Sequence, residues 1–269
     1  MILDRARALA ETFEPIELDA LVEAASLQTR IDCKYVVTWA AFEQLARDLV
    51  ASHVMLDIEG DRLFTYDTVY FDTRALQTYR DHVQRRRKRF KCRSRRYVES
   101  DRYVFEVKLK GLRGSTVKRA LAYDRRAHGS IDAHARAFVN DCLLEEYGHA
   151  LTEELVPTLR TTYRRMTFAR RDCSERLTCD FHFAANDLPF DPWRRPPGML
   201  LGDRVIVEHK STRDIGATRA ALRALGAHPA SCSKYCLGIA LTHPEVADND
   251  FRALLKRHFL SCGEQAAAA

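Results

Sequence analysis

The sequence predicts an α+β fold, in which a closed, mainly antiparallel barrel of about eight β-strands carries helices on its outside. Three observations predict it. Extended segments that alternate polar and apolar residues with period two make up much of the chain. Few helices separate neighbouring segments, which favours antiparallel pairing. Several segments place charged residues along one whole side, and closing the sheet would enclose that side and remove the unpaired edges.

The helices are predicted from apolar stripes with a 3.6-residue period. Thr38 is an N-cap candidate for the second helix, and Gly226 is a C-cap candidate for the fourth. The predicted helical segments are residues 19–27, 38–53, 132–149, 212–226 and 249–261.

The strands are predicted from nine alternating segments. The Pro/Gly-rich segment 188–202 is predicted to be a loop rather than a domain boundary. The chain is therefore expected to form a single domain over residues 1–269, with a core at about 26–241 and a C-terminal helix at 247–262. The nine segments are TRIDCKYVV, LFTYDTVYFDT, RFKCRSRRYV, DRYVFEVKLKG, TVKRALAY, PTLRTTYRRMTFAR, ERLTCDFHF, DRVIVEHKS and CSKYCLGIAL.

The composition is that of an ordinary globular protein. Of the 269 residues, 46% are hydrophobic and 30% charged, which argues against a disordered chain. The eight cysteines form no CxxC pair, so we expect reduced thiols in a cytoplasmic protein. No apolar run reaches the ~20 residues of a membrane span, and the N-terminal stretch lacks the apolar centre of a secretory signal.

The most basic stretch is RRRKRFKCRSRR, residues 85–96, with nine basic residues in twelve positions. Its first half, Arg85–Arg89, has two open interpretations: a solvated approach to a hairpin, or an electrostatic funnel at the mouth of an enclosed site. Its second half alternates, which predicts a strand with one cationic side.

Five predicted strands each have a polar side on which Arg and Lys dominate, and four of the five include a carboxylate. On an open sheet these charges would face water. Inside a closed sheet they would repel one another, unless a multiply charged anion and a metal ion neutralised them. The five polar sides are Arg30, Asp32 and Lys34; Lys91, Arg93 and Arg95; Glu106, Lys108 and Lys110; Arg176, Thr178, Asp180 and His182; and Arg204, Glu208 and Lys210.

At these residues the sequence resembles the VTC domain, the catalytic polyphosphate polymerase domain of the vacuolar transporter chaperone complex, in its soluble bacterial form. That family belongs to the triphosphate tunnel metalloenzymes, which include the CYTH triphosphatases. The resemblance extends from about residue 26 to 241 and rests on an ordered set of short motifs. In the order of the family they are TRIDCKY, YFDT, KCRSRRY, FEVKLKG, TLRTTYRRMTF, RLTCDFHF, VIVEHKS and SKYCLG.

The resemblance implies roles for individual residues. Seven cations stand where the family binds the triphosphate of a nucleotide and the growing chain. Glu208 stands where the family ligates its divalent metal, Mn²⁺ or Mg²⁺, and Glu106 and Asp180 are further candidate ligands on the same polar sides. The seven cations, which are the candidate catalytic and nucleotide-binding residues, are Lys34, Arg93, Arg95, Lys108, Arg165, Arg176 and Lys234.

Two positions depart from the family pattern. The CYTH relatives carry alternating glutamates where this chain has Arg30 and Asp32, which favours the VTC side of the superfamily. Ser231 stands where family members can carry a further lysine, which predicts weaker binding of the chain.

Three functions follow as expectations. The first is a metal-dependent polyphosphate polymerase, whose partners are ATP and polyphosphate and not nucleic acid. The second is a triphosphatase, in which water replaces the polyphosphate acceptor. The third is a non-enzymatic module that binds a polyanion through Arg85–Arg89.

Overall fold

The computed structural model describes residues 1–26, 31–112, 115–188, 199–200, 202–212, 216–230, 233–243, 245–246 and 251–258, and within them it contains eleven strands and eight α-helices. The strands are β1 (Pro15–Ile16), β2 (Ile31–Thr38), β3 (His53–Leu56), β4 (Phe64–Asp72), β5 (Phe90–Tyr97), β6 (Arg102–Lys110), β7 (Thr116–Ala122), β8 (Val156–Arg170), β9 (Glu175–Asp187), β10 (Met199–Leu200) and β11 (Arg204–Ser211). The helices are α1 (Ile2–Glu11), α2 (Leu18–Ser26), α3 (Trp39–Leu49), α4 (Gln77–Val83), α5 (Ala133–Tyr147), α6 (Ala217–Ala224), α7 (Lys234–Thr242) and α8 (Arg252–His258).

The strands form one sheet in the order β2-β11-β9-β8-β4-β5-β6-β7, and every neighbouring pair along this path is antiparallel. The short strands β1, β3 and β10 attach beside it. The mixed α+β class and the mainly antiparallel sheet are confirmed. Closure is not, because β2 and β7 do not pair with each other among the described residues.

The sheet is nevertheless strongly curved. Lys34 on β2 and Lys108 on β6 are six strands apart along the path, about 29 Å on a flat sheet with a spacing of about 4.8 Å. At that distance water and salt would screen one charge from the other. In the structure, burial lowers the pKa of Lys108, and the charge of Lys34 lowers it further. Val36 on β2 and Tyr70 on β4, four strands apart along the path, also lie in one apolar cluster with α7. The two ends of the path therefore face each other across a concave surface.

Helices cover much of the convex face, as predicted. Helices α1, α3 and α6 pack over β2, β8, β9 and β11 in one apolar cluster, with Trp39, Phe42 and Phe168 at its centre. Helix α5 packs over β4, β5 and β6 in a second cluster that includes Phe105 and Val139. Burial of these faces provides the main stabilisation of the sheet.

The last predicted strand is wrong, because residues 234–242 form helix α7. Ser233 caps this helix by accepting a hydrogen bond from Cys236 N at 3.1 Å. A short apolar run does not distinguish a strand from a buried helix, and α7 is buried from Tyr235 to Ile239.

Helix α7 lies on the concave side of the sheet. It packs with Val36, Ile206 and Tyr163, which share their strand faces with the charged residues of β2, β11 and β8. Gly238 permits this approach, since a Cβ there would come 2.4 Å from Leu159 Cδ2. One part of the concave face is therefore apolar and covered by α7, and another part is charged.

Strand β9 changes face at a bulge. His182 and Phe183 together oppose Tyr163, and His182 has φ of 50°. Phe181 consequently lies in the cluster under α3, whereas Phe183 lies on the concave side beneath α7. The uninterrupted alternation predicted for this strand is therefore wrong at its C-terminal end, because a strict period of two does not allow for a bulge.

The other differences concern helix ends and short elements. The Thr38 cap is confirmed by its hydrogen bond from Ala41 N at 3.2 Å, but α3 ends at Leu49, and His53 begins a strand. Helices α1 and α4 and the short strands were not predicted. Residues 189–198, 201 and 213–215, the positions Arg30 and Ser231, and the ends of the last predicted helix lie outside the described residues. No described helix has the length and apolar character needed to cross a bilayer.

Candidate anion-binding site

The charged part of the concave face brings together most of the residues singled out from the sequence. They come from β2, β5, β6, β8, β9 and β11 and from the first turn of α7. Their charges are arranged in three groups, two built around buried carboxylates and one made of lysines alone.

The first group is built around Asp180 on β9. Arg165, directly opposite on β8, donates to both carboxylate oxygens, at 2.6 and 2.9 Å, and Lys234 forms an ion pair with the same carboxylate. Asp180 is fully buried. Burial alone would raise its pKa, but Arg165 and Lys234 outweigh burial and hold the pKa at about 2. Asp180 therefore stays ionised and fixes the position of α7 relative to the sheet.

Tyrosine rings line the same group. The Lys234 Nζ lies 4.6 Å from the centre of the Tyr163 ring, and the Arg165 guanidinium lies 4.9 Å from that of Tyr66. The two tyrosine rings stack on each other at 5.0 Å. Such contacts stabilise cations that have lost water.

The second group is built around Glu106 on β6, which is 3% exposed. Its carboxylate lies 2.7 Å from Arg93 Nε and 3.7 Å from Arg95 Nη1, and it also pairs with Lys118 on β7. Burial would raise the pKa of Glu106, yet Arg93, Arg95 and Lys118 hold it well below its ordinary value. Arg93 also donates to the Tyr70 hydroxyl at 3.1 Å. Glu106 thus holds two arginines on the concave face.

The third group, the lysine cluster, consists of Lys34, Lys91 and Lys108. Within the described ranges, none of its Nζ atoms has a carboxylate oxygen within 4.0 Å. Lys91 instead donates to the Ser233 hydroxyl at 2.8 Å. Lys108 remains open to solvent, yet partial burial and the charges of Lys34 and Lys91 lower its pKa to about 8. The cluster is a concentration of positive charge whose ammonium groups have no described carboxylate in direct contact.

Glu208 on β11 is a carboxylate whose charge acts on this cluster: it raises the pKa of Lys108. Its Oε1 lies 3.3 Å from Lys210 Nζ, and its side chain is 20% exposed. Burial would raise its pKa, but the charges of Lys34 and Lys210 outweigh it and lower the pKa to about 2. An ionised and partly accessible carboxylate can bind a divalent cation.

The three candidate metal ligands do not form one site. Among the described residues there is no group of three or more His, Cys, Asp or Glu side chains that could hold a metal ion. Glu106 and Asp180 are each buried and paired with two or more cations, whereas Glu208 is 20% exposed and pairs with Lys210. Mg²⁺ in particular is commonly held by one or two carboxylates together with substrate phosphates, so Glu208 fits that chemistry and the other two do not.

With the geometry established, comparison with known proteins gives the family. A family model described as the VTC domain matches residues 29–243. The chain belongs to the VTC domain family. This match confirms the resemblance found in the sequence and covers nearly the same residues.

Solved structures give weaker similarity to this VTC domain. HpAC1 from Hippeastrum, a candidate adenylyl cyclase with a dominant triphosphatase activity, is 14% identical with a TM-score of 0.47, over 80% of this chain and 97% of its own. A candidate adenylate cyclase from Bacillus halodurans is 14% identical with a TM-score of 0.44, over 77% and 94%. The PH1819 protein from Pyrococcus horikoshii is 11% identical with a TM-score of 0.42, over 79% and 98%. No curated protein sequence matches the chain.

A further candidate residue of the VTC domain, Arg176, lies nearer the start of β9 than Asp180. Arg176 on β9 lies opposite Lys210 on β11, two residues along the strand from Thr178 and four from Asp180. Strand alternation places it on the same face as Asp180.

For two residues of the site, the sequence did not predict a role. Lys91 was visible as part of the cationic side of its strand, but the family motifs assign nothing to it. His82 lies on α4, which the sequence did not predict, and its Nδ1 bonds to the Thr78 carbonyl at 2.8 Å. Burial and the charges of Lys91, Arg89 and Lys108 lower the pKa of His82 to about 3, so its imidazole is neutral.

Proposed function

We propose that this VTC domain is a metal-dependent polyphosphate polymerase that transfers the γ-phosphate of ATP to the end of a polyphosphate chain, with the concave face as the wall of a tunnel. The observation that carries the proposal is the lysine cluster. Lys34 and Lys91 lower the pKa of Lys108, and none of the three ammonium groups has a described carboxylate oxygen within 4.0 Å. Such a cluster is favourable only when an anion of several charges neutralises it. A chain of phosphates has that charge density.

The arginines supply the complementary part of the site. Each guanidinium has five donors, so an arginine that pairs with a carboxylate can still bind phosphate oxygens. We assign the triphosphate of ATP to the cations of β5, β6, β8 and β9, and the acceptor chain to the lysines of β2 and α7. The first set is Arg93, Arg95, Lys108, Arg165 and Arg176, and the second is Lys34 and Lys234.

Glu208 is the proposed ligand of Mn²⁺ or Mg²⁺. When bound, such an ion supplies positive charge to the phosphate oxygens of the substrate. The protein contributes one ionised carboxylate beside Lys34 and Lys210, close to the proposed phosphate positions.

The reaction requires positioning and charge stabilisation more than covalent chemistry by the protein. A terminal oxygen of the polyphosphate acceptor attacks the γ-phosphorus in line. The bond from that phosphorus to the β–γ bridging oxygen breaks, and ADP leaves with the bridging oxygen. The chain grows by one phosphate.

The test is incubation of the protein with ATP and Mn²⁺, with polymer measured by gel electrophoresis and orthophosphate measured in the same sample. Long-chain polymer is the expected product. Orthophosphate alone would overturn the polymerase proposal in favour of a triphosphatase, and neither product would indicate a binding module.

Two variants test the assigned residues, and one serves as a control. Lys108→Ala and Glu208→Gln are each expected to reduce turnover on the order of 10²-fold, the loss typical when one stabilising group of a transition state is removed. Asp32→Asn removes another carboxylate beside Lys210, which lies 3.6 Å away, and is expected to retain activity. Full activity in either of the first two variants would contradict the assignment.

A further inference from the structure

A file of cations runs along β5 and continues beyond its first residue. Alternation places Lys91, Arg93 and Arg95 on the concave face, while Phe90 and Cys92 lie in the cluster under α5. The ladder continues one step further, because Lys110 N donates to Arg89 O at 3.0 Å. Arg89 thus keeps the register of the strand. We call Arg89, Lys91, Arg93 and Arg95 the cation file.

The hydrogen-bond and ion-pair partners of the cation file differ from its inner to its outer end. At the inner end, Arg95 and Arg93 pair with Glu106, and their side chains are 7% and 25% exposed. Lys91 has the Ser233 hydroxyl as its partner. Arg89 has no ion pair with a described carboxylate, and the residues before it, 86–88, are exposed. Uncompensated positive charge therefore increases from the interior of the site toward solvent.

The outer members of the file converge with the lysine cluster on one side of the sheet. Lys91, Arg89 and Lys108 all lie near enough to His82 for their charges to lower its pKa. His82 belongs to α4, which packs against α7 on the concave side through Leu76 and Tyr79. Arg89 is consequently a continuation of the site and not a separate surface patch.

The backbone at the outer end is held in place. Tyr147, the last residue of α5, donates its hydroxyl to Arg89 O at 2.6 Å and accepts from Lys110 N at 2.9 Å. Lys88 donates to Tyr147 O at 2.7 Å. These bonds fix the loop before β5 against the end of a helix, so Arg89 has a defined position.

The length of the cation file favours a long-chain ligand over a short one. Residues two apart on a strand are separated by about 6.7 Å, so four of them span about 20 Å. A triphosphate is too short to contact all four, whereas a linear polyphosphate carries charge on every unit and can follow them. A single-stranded nucleic acid would require rings for its bases, yet Arg85–Arg89 includes no aromatic residue and Phe90 is buried.

We propose that the outer members of the cation file, Lys91 and Arg89, hold the polyphosphate chain beyond the arginines that bind the triphosphate, and lead it out of the site beside the loop before β5. This inference rests on the proposed function and adds to it the direction of the chain and a residue, Arg89, that binds polymer but not nucleotide. Arg89 is then expected to affect long chains selectively.

The experiment measures the affinity of the metal-free protein for tripolyphosphate and for a linear polyphosphate long enough to span the file, by calorimetry. Arg89→Ala is expected to lower the affinity for the long chain about tenfold, the value of one charged hydrogen bond, and to leave tripolyphosphate binding unchanged. Lys91→Met should likewise weaken long-chain binding. Arg89→Lys should restore most of the loss in Arg89→Ala.

The matched control is Arg96→Ala. Arg96 lies on the same strand but on the opposite face, where it pairs with Asp101 at 2.8 Å, so its removal should leave both affinities unchanged. Equal losses for both ligands in Arg89→Ala, or no loss for either, would overturn the inference and leave the proposed function intact. Failure of the unmodified protein to bind any polyphosphate would overturn both.

A competition experiment separates polyphosphate from nucleic acid. Single-stranded DNA of similar total charge is expected to compete only weakly with the long chain. If it competes equally well, and Arg89→Ala weakens both to the same extent, the file is a general polyanion surface and the assignment to polyphosphate is wrong.

Discussion

At the scale of single residues, this site depends on which cations have a carboxylate partner. Arg165 and Arg93 each pair with a buried carboxylate, and so they have fixed positions at a reduced electrostatic cost. Lys108 has no such partner, and its pKa of about 8 lies well below the ordinary 10.5. A bound anion stabilises the charge of Lys108, which is lost more easily than that of an ordinary lysine as pH rises.

This leads to a prediction about pH. A lowered pKa means that Lys108 loses its proton as pH rises through about 8, so the affinity for tripolyphosphate should fall between about pH 7 and pH 9. Lys108→Arg keeps its charge over this range and should show a flatter dependence. Because the ligand titrates too, the difference between the two proteins in calorimetry is the informative quantity. The same slope in both would mean that another group titrates.

At the scale of elements, the pairing between β8, β9 and α7 positions the site. Asp180 joins all three, because it accepts from Arg165 on β8 and pairs with Lys234 on α7. A geometrically similar bidentate pair, Arg171 with Glu14, lies at the surface with 44% and 68% side-chain exposure. The two pairs therefore differ mainly in burial.

The predicted consequence is a large difference in stability. Asp180→Asn leaves two buried cations uncompensated and should lower the free energy of unfolding by roughly 3–5 kcal/mol. Glu14→Gln should change it little, because solvent screens that pair. Urea unfolding provides the measurement, and adding Lys234→Met to Asp180→Asn should recover part of the loss. Similar urea midpoints for Asp180→Asn and Glu14→Gln would contradict this account of Asp180 and its two cationic partners.

At the scale of the whole molecule, the curved sheet brings cations of distant strands together and so reduces its own stability. Lys34 and Lys108 repel each other across the concave face, while the apolar clusters on the convex face hold the sheet in its curved form. Stability reduced at a binding site is recovered when the ligand binds.

We therefore predict opposite effects of one substitution with and without ligand. Lys108→Met should raise the midpoint of thermal unfolding of the free protein. Tripolyphosphate should stabilise the unmodified protein by about 2.7 kcal/mol at a hundred times the dissociation constant. In Lys108→Met most of this stabilisation by the ligand should be lost. Arg119→Met, on the convex side of β7 and paired with Glu145, should behave like the unmodified protein. A lower midpoint for free Lys108→Met would contradict the repulsion.

Much of the strand pattern could be read from the sequence, since alternation is a local property of an extended backbone. Eight of the nine predicted strands, the Thr38 cap and the cationic side of β5 follow from residues close together in the chain. Helix α7 could not be recognised, because its short apolar run is buried on most sides and has no single periodic face. The bulge at His182 could not be predicted either, because the strand was predicted from strict alternation with period two.

The amino-acid sequence alone determined which side of each strand is charged and, through its ordered motifs, the VTC domain family. Only the tertiary structure decided which of those charges neutralise one another, and it separated Asp180 and Glu106 from the lysine cluster. The reason is physical: the direction of a side chain is set by its own backbone, whereas its electrostatic partners are set by strand register, sheet curvature and burial, which join residues far apart in the chain.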